Sequence, residues 1–485
     1  MSNSVTSLAP KAIWKNFAAL NAVPRPSKKE ERVIAFMMQF GNALGLETLK
    51  DDIGNIVIRK PATRGMEDRK MVTLQSHLDM VHQKNADTVF DFDAQGIAME
   101  VAGDWVRAKG TTLGADNGLG VATIMALLES SDVPHPPLEA LFTIDEETGM
   151  TGAFGLAPNW LKGDILLNLD TEEDDEIDIG CAGGVDVTAK RTYNQKEASH
   201  GDVGCRIEVS GLQGGHSGMD IHKGLGNANK IMNRLLFAGL SHNMRISRLE
   251  GGSLRNAIPR ESVCELNVHR KDEAAFREGL ESMAKVVQIE LAQREPNLRI
   301  SLKPIKPAKK VMGLGAQGKL IRALYGAHNG VYAMSASMPN LVETSNNLAR
   351  VQVKNGKIKI SCLTRSSQET GKMDLANGLR SVFELAGCEV EFSGSYPGWQ
   401  PNPDSQIVKL ATKVYQDLFK EMPRVVACHA GLECGILGQH YPDMDMVSFG
   451  PTILGAHSPD ERVGIASVQK FWNFLRAILL EVPKR

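Results

Sequence analysis

The sequence predicts an α/β protein in which one domain is interrupted by a second, inserted domain. Short apolar runs typical of strands alternate with helical patterns near both chain ends, whereas the middle follows a β-α-β-β-α-β order. At roughly 150 residues per domain, 485 residues allow two or three structural units. We therefore expect one domain formed by residues 1–184 and 400–485, and a second domain formed by residues 185–399.

Both ends of the chain show apolar strand patterns that alternate with helical patterns. Ser27 and Glu30 form a capping-box pattern, and apolar residues follow at helical spacing to about Leu44. Strands are expected at residues 55–60, 71–76, 138–144, 164–169 and 444–450. Further helices are expected at residues 118–130, around 154–161, and at 406–419 and 466–480.

The inserted segment is predicted to be an α+β domain of two ferredoxin-like units. The first unit runs from about residue 203 to 303 and the second from about 316 to 393. Within the second unit, Asn355-Gly356 joins two apolar runs and indicates a β-hairpin. The Pro- and Gly-rich residues 393–405 are where we expect the chain to return to the first domain.

Charge and composition disfavour several classes of protein. Lys plus Arg is 55 and Asp plus Glu is 57, so the formal net charge is −2, with no basic surplus for nucleic acid or a membrane surface. The N-terminal residues do not read as a secretory signal. The seven cysteines are dispersed and never form C-x-x-C, which favours reduced thiols. We expect a cytoplasmic protein without a nucleic-acid or membrane partner.

Five short runs place metal-competent side chains at the ends of predicted strands. They are QSHLDM (His77, Asp79), LGADNG (Asp116), TIDEETG (Glu146, Glu147), NLDTEE (Asp170) and GAHSPDE (His457). Side chains at the carboxyl ends of strands converge in open α/β sheets. A single catalytic zinc usually has three protein ligands, so two imidazoles and three carboxylates suit a pair of ions better than one.

Each run also has an ordinary interpretation when it is taken alone. Asp116 before Asn117-Gly118 is typical of a turn, and Glu146-Glu147 would suit a helix start. His77 and His457 could be loop histidines, and the acidic run that begins at Asp170 could be a solvated face. The coincidence of all five runs favours a metal site.

With the GGHSG segment at residues 214–218, these runs resemble the signature of the dizinc peptidases that include carnosinases, aminoacylases and glutamate carboxypeptidases. The segments CAGG (181–184), NAIPR (256–260), YPGWQP (396–401) and HAGLECG (429–435) resemble, within that family, the bacterial aminoacyl-histidine dipeptidases. The resemblance covers essentially the whole chain. It implies a catalytic domain with a mixed sheet sandwiched by helices, and an inserted lid domain that binds substrate.

The resemblance implies a ligand set for two divalent ions, with Zn²⁺ expected and Co²⁺ or Mn²⁺ as possible substitutes. Asp116 would bridge both ions. His77 and Asp170 would complete one site, and Glu147 and His457 would complete the other.

The resemblance also implies the catalytic roles. Glu146 would be the general base for a metal-bridging hydroxide. Asp79, two residues after His77, is placed to accept the second N–H of that imidazole. His216 would donate to the oxyanion, from the same chain or, as in dimeric relatives, from a partner subunit; a loop histidine is the alternative. A cis peptide after Asp116 is expected as well.

Substrate binding is predicted for a further set in the inserted domain. Arg365 matches the family position that binds a free C-terminal carboxylate, for which the bidentate guanidinium is suited. Asn256, Arg260 and the backbone near Ala430 and Gly431 are secondary predictions. A surface arginine is the alternative for Arg365 and for Arg260.

Three functions are therefore compared. The first is metal-dependent hydrolysis of dipeptides, preferentially Xaa-His including β-alanyl-histidine (carnosine). The second keeps the metals but acts on N-acyl amino acids. The third is a non-catalytic scaffold, which is disfavoured because Glu146 and all five ligands are present. Small peptides are the expected partners, and either a homodimer through the lid domain or a monomer is compatible with the sequence.

Overall fold

The computed structural model describes residues 4–485, and in these residues it contains twelve α-helices. In chain order they are α1 (Lys11–Asn21), α2 (Glu31–Ala43), α3 (Ala115–Glu129), α4 (Glu146–Gly149), α5 (Thr151–Gly155), α6 (Ala228–Ala238), α7 (Glu273–Leu291), α8 (Leu314–Gly326), α9 (Glu369–Leu385), α10 (Gln406–Phe419), α11 (Glu433–His440) and α12 (Ile465–Glu481).

The strands of the described residues are β1 (Glu47–Lys50), β2 (Ile56–Lys60), β3 (Val72–His77), β4 (Met99–Ala102), β5 (Trp105–Ala108), β6 (Leu138–Thr143), β7 (Ile165–Asn168), β8 (Glu176–Cys181), β9 (Gly183–Thr192), β10 (Gln195–Glu197), β11 (Asp202–Ser210), β12 (Gly215–His216), β13 (Arg245–Gly251), β14 (Ala257–Ile258), β15 (Ser262–His269), β16 (Arg299–Ile305), β17 (Lys310–Met312), β18 (Gly330–Met334), β19 (Val342–Lys354), β20 (Lys357–Ser366), β21 (Glu389–Tyr396), β22 (Arg424–Cys428), β23 (Asp445–Ser448), β24 (Ile453–Leu454) and β25 (Arg462–Gly464).

The chain divides into two compact units. Unit 1 comprises Met1–Gly180, Pro401–Ala427 and Leu432–Arg485, and is described from residue 4 onward. Unit 2 comprises Cys181–Gln400 and Cys428–Gly431. The assignment of catalysis to the first unit and of a lid role to the second stays a prediction.

Unit 1 is built on an eight-stranded mixed sheet with the order β1-β2-β6-β3-β7-β23-β8-β22. The four neighbouring strands β6, β3, β7 and β23 are parallel to one another, and β2 and β8 join them antiparallel. Every residue of β3, β6 and β7 is buried, so both faces of the sheet centre are covered, as in a sheet between two layers of helices. The predicted α/β class is confirmed.

A smaller sheet of unit 1 has the order β24-β25-β5-β4. In it, β25 pairs with β5, with Arg462 opposite Arg107 and Val463 opposite Val106. The pairing joins the segment that leads toward Asp116 to the segment that follows His457.

Unit 2 contains two βαββαβ units that share one nine-stranded antiparallel sheet. The first unit has the strand order β16-β11-β15-β13, with α6 and α7 as its helices. The second has the order β19-β20-β9-β21, with α8 and α9, and its edge strand β19 pairs with β13 of the first. Both are the ferredoxin-like pattern predicted for the insertion.

The second ferredoxin-like unit begins earlier than expected. Its first strand is β9, at residues 183–192, and not a strand after residue 316. The first unit is therefore nested inside the second. The predicted hairpin is confirmed, with Lys354 opposite Lys357 and positive φ at Asn355 and Gly356.

Two local predictions are wrong. The helix expected around residues 154–161 ends at Gly155, and Pro158 and the positive φ of Asn159 follow it. Ser27 does not cap α2, which has Glu30 at its N-cap position. None of the helices in the described part of the chain is long and apolar enough to cross a membrane.

Candidate metal centre and active site

Three of the five predicted runs follow parallel strands of the unit 1 sheet. His77 ends β3, Glu146 and Glu147 come shortly after β6, and Asp170 comes two residues after β7. Because β3 lies between β6 and β7 in the same direction, the three strands deliver these side chains to one edge of the sheet. The buried strands that precede the three runs therefore fix where these side chains lie.

The other two runs do not end sheet strands, contrary to expectation. Asp116 lies in the first turn of α3, and His457 lies in the loop between β24 and β25 with a φ of 63°. The expected cis peptide between Asp116 and Asn117 is present. The small sheet, and not the central one, brings these two segments together.

The carboxylate of Asp116 lies between two histidines. Its Oδ1 is 3.1 Å from Nε2 of His77, and its Oδ2 is 3.1 Å from Nε2 of His457. On the first side, His77 Nε2 is also 3.4 Å from Oδ1 of Asp170. On the second side, His457 Nε2 is 3.0 Å from Oε2 of Glu147. Asp116 is thus the shared member of two three-residue groups.

Each of these groups has a geometry that could hold a metal ion. In His77, Asp116 and Asp170 the possible ligand atoms all lie within 4.8 Å of one another, and the same holds for Asp116, Glu147 and His457. Among the described residues, the buried Oε1 of Glu147 accepts no hydrogen bond. Imidazole nitrogens and carboxylate oxygens suit Zn²⁺, Co²⁺ and Mn²⁺, so the donor set fits a pair of divalent ions.

The electrostatics of the cluster favour positive charge at its centre. Burial would lower the pKa of His77, but the charge of Asp170 and the hydrogen bond to Asp116 hold that pKa well above its ordinary value. Hydrogen bonds to Asp116 and Glu147 raise the pKa of His457 to about 11. Burial raises the pKa of Asp170 to about 6, since its charged form is costly without a cation nearby. Divalent cations would satisfy these same carboxylates.

Asp79 lies next to this cluster and contacts both the predicted ligand His77 and the predicted base Glu146. Its Oδ1 is 3.3 Å from Nδ1 of His77 and accepts the backbone N–H of Glu146 at 3.0 Å. Its Oδ2 accepts from Ser27 Oγ at 2.8 Å and from the backbone N–H of Glu147 at 3.3 Å. This explains why Ser27 does not cap α2. The carboxylate can fix the orientation of the His77 ring and the start of α4 together.

Arg25 is a residue of this site that the sequence did not reveal. Its guanidinium is fully buried and donates to the backbone carbonyls of Leu78 and Asp79, both at 3.1 Å, and of Gly114 at 2.5 Å. A Cβ on Gly114, whose φ is +69°, would lie 2.5 Å from Arg25 Nη2, so this position requires glycine. Because Arg25 binds backbone atoms, no pattern of residue types signals it.

His216 lies in unit 2, on the short strand β12 that pairs with β14. Its Nδ1 accepts the backbone N–H of Met219 at 3.1 Å, which leaves the proton of the neutral ring on Nε2. Burial and the charge of Arg365 lower the pKa of His216. The ring of His216 is therefore neutral at neutral pH, with its proton on Nε2.

Arg365 lies near the end of β20, is 5% exposed, and donates from Nη1 to the hydroxyl of Tyr396 at 2.8 Å. A second histidine, His429, lies near it and was not predicted, although it opens the HAGLECG segment. His429 Nε2 is 2.8 Å from Ser345 Oγ, and burial together with the charge of Arg365 lowers the pKa of His429 to about 3. The guanidinium of Arg365 is thus a buried positive charge that lowers the pKa of two histidines.

The secondary substrate predictions lie in unit 2, where the backbone carbonyl of Asn256 accepts the N–H of Ser217, the residue after His216, at 2.8 Å. The side chain of Asn256 is exposed. Arg260 is exposed, donates to the carbonyl of Leu212 at 3.0 Å, and lines another cavity of about 630 Å³. The backbone carbonyl of Ala430 accepts from the N–H of Ala182 at 3.0 Å, and Gly431 is half-buried. Their roles in substrate binding stay predictions.

The chain is similar to known peptidases over its whole length. The sequence profile of peptidase family M20/M25/M40 matches residues 73–481. The cytosol non-specific dipeptidase of Escherichia coli (strain K12) is 43% identical over 484 residues, which cover 100% of each chain. The crystal structure of aminoacylhistidine dipeptidase from Vibrio alginolyticus is 42% identical, superposes with a TM-score of 0.94, and is matched over 100% of this chain and 99% of that chain.

A more distant structure shares the fold. Aminopeptidase PepT from Bacillus cereus is 16% identical, with a TM-score of 0.57 over 98% of this chain and 99% of that chain. The full-length similarities and the matching family profile confirm the family resemblance that the motifs of the metal cluster predicted.

Proposed function

Because the chain belongs to peptidase family M20/M25/M40, we propose that it is a metal-dependent dipeptidase that cleaves Xaa-His dipeptides, including carnosine, in preference to other dipeptides. Family membership confirms the predictions that the chain is an enzyme and a metallopeptidase. The observation that supports the proposed reaction most strongly is the Asp116 carboxylate, whose two oxygens each face a different histidine at 3.1 Å.

We propose that the cluster holds two divalent ions, with Zn²⁺ expected. Asp116 would contact both, His77 and Asp170 one of them, and Glu147 and His457 the other. When bound, such ions polarise a peptide carbonyl and make water acidic enough to act as a nucleophile at neutral pH. The bridging role of Asp116 is supported by its place in both groups of possible ligands.

Glu146 is proposed to move the proton. Burial raises its pKa well above the ordinary value for glutamate, so the side chain takes up a proton from water more readily than an exposed glutamate would. It would then donate that proton to the leaving amine. The hydrogen bond from its backbone N–H to Asp79 fixes the start of α4, and with it the base.

Unit 2 is proposed to bind the rest of the substrate. Arg365 would bind the C-terminal carboxylate, since a buried guanidinium beside neutral histidines favours an anion. His216 would donate its Nε2–H to the carbonyl oxygen as negative charge develops there. Asn256, Arg260, Ala430 and Gly431 are proposed as further substrate contacts on the family resemblance alone.

The two relatives differ by name in the breadth of their activity. One is named for aminoacylhistidine and the other as non-specific. We propose a preference for histidine at the C-terminal position within a broader range of dipeptides. We also propose a cytoplasmic location, in keeping with the name of the Escherichia coli relative.

The proposal is tested with purified protein and a substrate panel. The panel contains carnosine, other Xaa-His dipeptides, dipeptides without histidine, and N-acyl amino acids. We expect the highest kcat/KM on Xaa-His, loss of activity on chelation with recovery on adding Zn²⁺, and two ions per chain by elemental analysis. Preference for N-acyl amino acids would instead identify a deacylase, and undiminished hydrolysis after metal removal would contradict the mechanism.

A further inference from the structure

Glu461 binds the backbone that carries Asp116. It is 1% exposed, and its carboxylate accepts four consecutive backbone N–H groups. Oε2 accepts from Leu113 at 2.7 Å and from Gly114 at 3.0 Å. Oε1 accepts from Ala115 at 2.7 Å and from Asp116 at 3.3 Å. Both oxygens are therefore used in full by one short segment of chain.

Glu461 is also tied to the loop that carries His457. Its backbone N–H donates to the carbonyl of Ser458 at 3.1 Å. The backbone N–H of Ser458 in turn donates to the carbonyl of Gly455 at 3.2 Å. Two tight turns thus separate the imidazole from the carboxylate. A displacement of Glu461 would move this loop and the Asp116 segment together.

Arg25 holds the same segment from its carbonyl side. It donates to the carbonyl of Gly114, while Glu461 accepts the N–H of the same residue. The two buried charges are opposite, so each lowers the cost of burying the other. Through Leu78 and Asp79, Arg25 extends this backbone clamp to the segment that follows His77.

We infer that Glu461 is a positioning residue that fixes Asp116 relative to His457, so that the metal-binding geometry exists before any ion binds. The inference rests on the proposed two-metal function. A carboxylate suits the task because only an acceptor at both oxygens can satisfy four N–H groups. Glutamine would turn an NH₂ group toward two of these donors, and aspartate is one methylene too short to reach both pairs.

The test compares E461Q with a matched control, E295Q. Glu295 in unit 2 is 2% exposed and accepts the backbone N–H groups of Gln213 and Gly226, both at 2.8 Å. Both substitutions remove one acceptor from a buried backbone cradle, so both should lower thermal stability. Only E461Q should change the metal site.

Metal binding is measured with Co²⁺ alone, by competition with a chromophoric chelator and by the visible absorption of bound Co²⁺. We expect E461Q to weaken Co²⁺ binding about 10- to 100-fold, the effect typical of losing a partner that orients ligands, and to alter the absorption spectrum. E295Q should bind Co²⁺ with wild-type affinity. With Zn²⁺ restored, E461Q should lower kcat while KM stays near the wild-type value.

The outcomes separate this inference from the proposed function. If wild-type protein does not bind two ions, the proposed function fails. If wild-type protein binds two ions and E461Q binds them with the same affinity and spectrum, only the positioning role of Glu461 is refuted. Should E461Q not fold, E461D provides the test, because it keeps the charge and should still weaken Co²⁺ binding; unchanged binding by folded E461D refutes the role equally.

Discussion

Histidines in the two units experience opposite electrostatic environments. His457 in unit 1 has its pKa raised to about 11 by hydrogen bonds to two carboxylates, whereas burial and the charge of Arg365 lower the pKa of His429 in unit 2 to about 3. The residue type is the same, so the surroundings alone decide the charge. The first environment favours cations and the second favours an anion beside Arg365, which is the division of tasks expected for a metal centre and a carboxylate site.

The largest expected effect tests the unit 1 side of this comparison. Glu146→Gln should lower kcat by about 100- to 10,000-fold, the usual range for losing a general acid–base, and should leave the metal content unchanged. Activity is followed with an Xaa-His dipeptide and metal content by elemental analysis. Glu281→Gln, on an exposed face of α7, serves as the control and should behave as wild type. A Glu146→Gln variant with wild-type kcat would rule out this base.

The next largest effect tests the unit 2 side. Arg365→Ala should lower kcat/KM by about 100-fold or more, because two hydrogen bonds to a charged group contribute at least about 1.5 kcal/mol each. Wild-type protein should lose a similar factor on a dipeptide with an amidated C-terminus. The variant should no longer distinguish the acid from the amide. Arg270→Ala, at an exposed arginine of the same unit, is the control; equal discrimination by Arg365→Ala would contradict carboxylate binding.

Asp79→Asn tests how strongly metal binding in unit 1 depends on the contact between Asp79 and the proposed ligand His77. We expect a loss of about 10- to 100-fold in metal affinity or activity, because an amide cannot accept the His77 N–H and both backbone N–H groups equally well. Chelator competition measures the affinity. Asp178→Asn is a control for changing a buried aspartate, since Asp178 is 6% exposed and hydrogen-bonded to Thr171. Wild-type affinity in Asp79→Asn would show that the carboxylate does not orient His77.

The smallest expected effect is on the pH dependence of the free energy of unfolding, and it tests the comparison of His429 with His457 directly. The folded pKa of His429, about 3, lies below its unfolded value, so the unfolded chain binds a proton that the folded chain does not. The neutral ring of His429 therefore contributes to the free energy of unfolding above about pH 6.5. This contribution is lost as the pH falls, by about 2 kcal/mol between pH 7 and pH 5. Urea unfolding of His429→Asn should lack this part of the pH dependence.

His457→Asn provides the opposite case in metal-free protein. The folded pKa of His457 lies above its unfolded value, so its contribution is present below about pH 6.5 and is lost as the pH rises toward 11. The two variants should therefore shift the pH dependence of the free energy of unfolding in opposite directions. Parallel shifts would contradict the proposed difference between the two units.

The strands of unit 1 were predictable because each buried parallel strand is an apolar run with turn residues after it. The predicted runs at 71–76 and 138–144 correspond to β3 and β6. The nesting of unit 2 was not predictable, because β9 is separated from its partner β20 by the whole of the first ferredoxin-like unit. Strand pairing over such a distance leaves no local pattern.

The residues of the candidate site likewise fall into those that the sequence revealed and those that it did not. His77, Asp116 and the glutamate pair were visible because their chemistry lies in their side chains. Arg25 and Glu461 were not, because they act on backbone atoms that every residue has. A buried charge in a loop looks like any surface charge until the chain around it is known.

The interrupted order of unit 1 constrains when the enzyme can become active as it is synthesised. The parallel strand β7 has β23 as a neighbour, and the segments that carry His457 and Glu461 follow β23 near the end of the chain. Domains form from the N-terminus as the chain leaves the ribosome, and all of unit 2 is synthesised before β23 and the segments that follow it. A nascent chain therefore lacks part of the proposed ligand set until translation is nearly finished, so we expect incomplete products to be inactive as peptidases.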